Sequence, residues 1–197
     1  MKRRLSTTLL TLLCIAMSGT AQVRLPQLFQ NGMVVQRNKP TIIWGDAQPG
    51  QQIGIRLHKQ KTMVTADADG HFRATLAPQK AGGPYQLTIG TTVINDVMIG
   101  DVWLCAGQSN MDVTIERVYP QYPDEIDRYE NSKIRYFRVQ TDKDTHAPKT
   151  DVLPTSWKPL TQANVKGFSA ISYFLAKRMF EQTGVAQGVI CNSLGGT

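Results

Sequence analysis

Three histidines and three cysteines are all that this 197-residue chain offers of the side chains that most often bind metals or act as bases. The two cysteines beyond the first 21 residues, Cys105 and Cys191, stand 86 positions apart with no spacing that would make a metal site. No run of Lys and Arg interleaved with aromatics occurs, so a nucleic-acid partner is poorly supported. The one long apolar stretch, Leu5 to Met17, is too short to span a bilayer. Aromatic residues make up only 8% of the chain and form no clear row on the exposed strand faces expected in residues 22–96.

The first 21 residues read as a secretory leader. Lys2-Arg3-Arg4 form a positive head, Leu5 to Met17 an apolar core and Gly19-Thr20-Ala21 a small-residue cleavage site. Cleavage is expected before Gln22, which makes the mature protein secreted or periplasmic with no membrane span. Cys14 lacks the flanking small residues that would make it a lipidated terminus. The leader takes three of the 22 basic residues and none of the 15 acidic ones, which lowers the net charge from +7 to +4. The remaining charges are scattered, as on a solvated surface.

Residues 22–96 show short alternating segments between turn signals at Asn38-Lys39-Pro40, Pro49-Gly50, Asp69-Gly70 and Gly82-Gly83-Pro84. That is the pattern of a small antiparallel β-sandwich domain. Ile53, Ile55 and Leu57 share one face and Arg56 and His58 the other; Phe72, Ala74 and Leu76 point inward and His71 outward. Both histidines are thereby expected on solvent faces, and His146 lies in a polar loop.

Residues 97–197 read as β-α-β-α-β, an α/β arrangement. Val102 to Ala106 is an unbroken apolar run, expected to be a strand buried on both faces. A helix over Asn110 to Tyr119 follows from Met111, Ile115 and Val118. A strand is expected over Lys133 to Val139. A second helix over Ser169 to Thr183 has Ser169 as N-cap, Gly184 as terminator and an apolar stripe of Ile171, Phe174, Leu175 and Met179. A last strand, Gln187 to Asn192, leads into Ser193-Leu194-Gly195-Gly196-Thr197. Cys105 and Cys191 fall in strands of this sheet. Export would permit a disulfide, but neighbours on parallel strands rarely meet its geometry, which favours buried free thiols.

Gly107-Gln108-Ser109-Asn110-Met111 follows the first of these strands directly. A serine at a strand-to-helix turn, at the carboxyl end of a parallel sheet, has free backbone N–H groups around it and suits acyl transfer. The Gly-x-Ser-x-Gly elbow of the α/β-hydrolases is not met, because Met111 occupies the second glycine position. The pentad instead resembles the nucleophile block of the SGNH hydrolases, in the branch of the sialate O-acetylesterases and related carbohydrate acetylesterases. Further landmarks run in the same order: Leu28 to Arg37, Trp44-Gly45, Ala81 to Tyr85, Gly100 to Leu104, Gly167 to Ala170 and Gly195 to Thr197.

This resemblance implies a flavodoxin-like three-layer SGNH fold, here truncated, behind the β-sandwich. It implies Ser109 as nucleophile and an oxyanion hole from the Ser109 N–H with Gly195 or Gly196. No metal or organic cofactor is implied. The family places Trp where this chain has Leu194, a departure that bears on pocket shape. Its catalytic Asp-x-x-His pair has no counterpart in these residues, so the expectation is an N-terminal part whose base lies elsewhere. The implied substrate is an acetylated carbohydrate, sialic acids first and acetylated xylan second. A non-catalytic carbohydrate-binding protein is the alternative of a different class.

Overall fold

From Val34 the chain forms seven strands before any helix: β1 (Val34–Gln36), β2 (Thr41–Asp46), β3 (Gln52–Leu57), β4 (Gln60–Thr65), β5 (His71–Leu76), β6 (Gly82–Ile89) and the long β7 (Thr92–Gly107). Three short helices follow, α1 (Ser109–Asp112), α2 (Ile115–Val118) and α3 (Pro123–Arg128). Then come β8 (Asn131–Arg138), β9 (Trp157–Leu160), helix α4 (Ala170–Thr183) and β10 (Gln187–Ser193). The computed structural model describes residues 22–142 and 146–196, so the leader read in residues 1–21 lies outside it.

The chain is a mixed α/β protein built on one large mixed sheet. Eight strands run in the order β4-β3-β6-β7-β10-β8-β9, with β1 parallel to β7 beside this path, and β2 and β5 form a separate antiparallel pair. Alternation decides the first core as expected: Ile53, Ile55 and Leu57 of β3 and Phe72, Ala74 and Leu76 of β5 are buried together with Ile43, Leu87 and Ile89. His71 and Arg73 face out.

Strand β7 joins the two halves. Its first part pairs antiparallel with β6 and its second part parallel with β10. The boundary expected between residues 96 and 97 therefore falls inside a single strand. Asp96 sits there at φ 57° opposite a bulge in the β6 pairing, and the buried Arg135 of β8 grips its carboxylate with two hydrogen bonds of 2.7 and 3.1 Å. A side chain at Gly100 would run into the Ala186 carbonyl, so glycine lets β10 start close beside β7.

The parallel part of the sheet is β7-β10-β8, with α4 against one face. Two expectations change here. Val102 to Ala106 is not buried on both faces: Cys105 is covered, but Leu104 is 70% exposed, because among the described residues no helix covers its side. The buried stripe of α4 is also rotated. Ala170, Ser172, Tyr173 and Ala176 face the sheet while Ile171 is 47% exposed. Small residues at the contact let helix and sheet approach closely, and the larger Phe174 and Leu175 fill the flanks. The helix ends are as read. The Ser169 hydroxyl accepts the Ser172 N–H, and Gly184 closes the last turn at φ 64°.

Candidate active site

Ser109 and Gly195 meet because the strands that carry them end level. Parallel pairing sets Ser193 opposite Gly107, and the Leu194 N–H donates to the Gly107 carbonyl at 3.1 Å. Both chains then leave the sheet side by side. A Cβ at Gly195 would lie 3.7 Å from the Ser109 Oγ and 3.3 Å from an Asp112 carboxylate oxygen, so the glycine loop packs directly against the serine turn. Ser109, exposed, opens α1 and shares a cavity of about 270 Å³ with Asp112, Thr114, Arg117, Gly195 and Gly196.

The expected helix over Asn110 to Tyr119 is broken into α1 and α2. Thr114 is extended and bridges Ser169 across the gap. The Val113 carbonyl accepts the Ala170 N–H, and the Ile115 N–H donates to the Phe168 carbonyl, each at 2.8 Å. These backbone groups are taken by the chain entering α4, so they are not available to continue a helix. Ile115, fully buried, holds the junction in the second core.

Asp112 organises the site and was missed in the sequence. Its carboxylate accepts hydrogen bonds from Arg138, from the Ser193 hydroxyl at 2.9 Å and from the Gly195 N–H at 3.2 Å. One side chain thus ties the serine turn, the end of β8 and the glycine loop together. The Arg138 guanidinium, followed by Ser193, holds the Asp112 carboxyl below the usual carboxylate range. Burial pushes the Arg138 pKa down, but its hydrogen bonds to Tyr136 and Asp112 outweigh it and leave the group more firmly cationic. Burial pushes the Tyr136 phenol up to about 12. The available signal was Asp112 three residues after Ser109, on the same face of a helix.

Of the oxyanion candidates, Gly195 has its N–H on Asp112, while Gly196 sits at φ 81° at the cavity wall. No histidine lines the cavity. His58 is in the β3–β4 turn, stacked on Tyr85 with ring centroids 4.2 Å apart. His71 stands on β5 with its Nδ1 2.8 Å from Asp46, and His146 lies exposed in the loop after β8. Cys105 and Cys191 are buried free thiols directly opposite each other in the β7–β10 register. Among the described residues, no group of three or more His, Cys, Asp or Glu side chains is placed to hold a metal, and no helix is long and apolar enough to cross a membrane.

No family model matches the chain. The sialate O-acetylesterase of Mus musculus is 26% identical over 210 residues, covering 96% of this chain and 39% of its own length. The Homo sapiens sialate O-acetylesterase is 26% identical over 196 residues, 88% of this chain and 37% of that protein. The crystal structure of a carbohydrate acetylesterase from Xanthomonas citri superposes with a TM-score of 0.83 at 32% identity, over 89% of this chain and 41% of that one. The chain spans less than half the length of each of these relatives. Along nearly all of its own length this chain is similar in sequence to sialate O-acetylesterases and in fold to a carbohydrate acetylesterase.

Proposed function

We propose that the chain carries the nucleophile of a secreted or periplasmic serine esterase that removes O-acetyl groups from carbohydrates. The observation behind this is Ser109 standing at the end of a parallel strand, against the glycine loop of its neighbour, in an open cavity. The Ser109 Oγ attacks the acetyl carbonyl, the sugar hydroxyl leaves with a proton, and water hydrolyses the acetyl-serine. The oxyanion is held by the Ser109 N–H and a glycine N–H. We favour Gly196, because the Gly195 N–H is already on Asp112. Sialic acid O-acetyl groups are the first substrate class, in keeping with the names of the curated relatives, and acetylated xylan is the second.

The base and its orienting carboxylate come, on this reading, from outside the described residues, since no histidine faces Ser109. The fold behind it is a flavodoxin-like SGNH layer arrangement preceded by a small β-sandwich. It is supported by the parallel β7-β10-β8 set under α4 and by the core shared between β2, β5 and the antiparallel strands. The test is acetate release from O-acetylated sialic acid and acetylated xylan by residues 22–197, beside a chain extended through any downstream Asp-x-x-His. The extended chain releases acetate and its Ser109→Ala variant does not; equal release by the variant would falsify the assignment. Mass spectrometry of exported material is expected to find the N-terminus within a few residues of Gln22, and an intact Met1 would remove the leader from this account.

A further inference from the structure

Trp44-Gly45 is a landmark of the sequence that Ser109 chemistry does not use. Trp44 stands on the solvent face of the β2–β5 pair, directly opposite Arg73, and Asp46 stands opposite His71. Together they line a cavity of about 500 Å³ whose other wall is Arg24 to Gln27. The indole is 39% exposed, yet its ring is held edge-on against the buried Phe29 with centroids 4.8 Å apart. It is therefore a fixed apolar plate within a polar rim. Arg24 donates to Asp46 at 2.7 and 3.0 Å, and His71 lies 2.8 Å from the same carboxylate.

This cavity does not stand alone. Its wall includes Asp151, whose carboxylate accepts the Gln27 N–H at 3.0 Å and so pins the loop after β8 across the edge of the small sheet. Asp151 also lines a second cavity of about 230 Å³, which reaches Ser193 and Leu194. The next residue, Gly195, begins the cavity of Ser109. The first two hollows share Asp151, and the second ends on Leu194, next in the chain to Gly195 of the third.

We infer that these hollows form one trough that binds an oligosaccharide, with a sugar ring stacked on Trp44 and the acetylated unit at Ser109. The position of the acetylated unit rests on the esterase reading; the trough itself does not. A pyranose ring has an apolar C–H face for the indole and hydroxyls for the charged rim. Cations Arg24 and Arg73 are matched by Asp46 and Asp151, which suits a sugar chain better than a polyanion.

The test is calorimetric titration of the chain with xylohexaose and with 3′-sialyllactose, against xylose and free N-acetylneuraminic acid. At least one oligosaccharide is expected to bind tenfold or more tighter than its monosaccharide, and the better of the two names the sugar class. Trp44→Ala removes that advantage and Trp44→Phe keeps most of it. Should Trp44→Ala lose its thermal transition, Arg73→Ala, on the exposed face, decides by a threefold or greater loss. Equal binding of long and short sugars, or an advantage that survives these substitutions, overturns the trough. Both oligosaccharides lack O-acetyl groups, so their binding is read without catalysis; a failed esterase assignment shows in acetate release and a failed trough in the titration, and the two are read separately.

Discussion

The Asp112 carboxylate accepts the Gly195 N–H at 3.2 Å, across 83 residues of chain. The glycine loop is therefore held against the serine turn by a side chain from that turn, and Arg138 supplies the counter-charge. Asp112→Ala is expected to free the loop and leave Arg138 without its carboxylate. Hydrogen bonds to charged groups are worth about 1.5–3 kcal/mol, and the lower part of that range applies here because both side chains are more than a quarter exposed. Thermal denaturation measures the loss. An unchanged melting temperature would separate Asp112 from the stability of the site.

The same carboxylate sets a pH dependence. Its folded pKa lies below the ordinary value, so the stability it contributes is present above the unfolded pKa and is lost as pH falls through the folded one. Asp112→Asn is expected to flatten the stability profile in the acid range while leaving its shape near neutrality unchanged. Urea midpoints between about pH 2 and 7 provide the comparison.

In an extended, active form, Ser109→Ala is expected to lower turnover of p-nitrophenyl acetate by several orders of magnitude, since one member of a catalytic unit carries most of the covalent pathway. Gly195→Ala is expected to cost less. Its methyl meets Asp112 at 3.3 Å and Ser109 at 3.7 Å, so the loop shifts by a few tenths of an ångström while Ser109 stays in place. Initial rates at saturating probe rank the two, and a Ser109→Ala enzyme faster than Gly195→Ala reverses the roles.

Leu104, in the middle of the sheet and 70% exposed, is expected to drive self-association of residues 22–197. Leu104→Ser raises their solubility, read by light scattering, with little change in melting temperature. In an extended chain that covers this face the same substitution costs about 2 kcal/mol or more, because the site is then a core position. Destabilisation of the short form would mean that the face is already covered.

The imidazole of His71 is expected to titrate above 6.5, because Asp46 and the charge around it favour the cation. Its small contribution to stability is complete below the unfolded pKa and fades as pH rises through the folded value. Asp46→Asn returns the titration toward 6.5. NMR of the ring protons reports both, and a His71 unaffected by Asp46→Asn would disprove the pairing.

What could be read in the sequence is what the backbone period enforces locally. The alternation of Ile53, Ile55 and Leu57, the Ser169 cap, the Gly184 stop and the serine turn after Gly107 each depend on residues a few positions apart. Tertiary contacts decided the rest. Which face of α4 is buried depends on how closely the sheet lets Ser172 and Ala176 approach, and α1 and α2 part because Val113, Thr114 and Ile115 spend their backbone hydrogen bonds on the chain entering α4. The ties from Arg138 and Ser193 to Asp112 exist only because parallel pairing sets the end of β10 level with that of β7 and within two residues of that of β8, and no local periodicity in the chain encodes which strand ends will be neighbours.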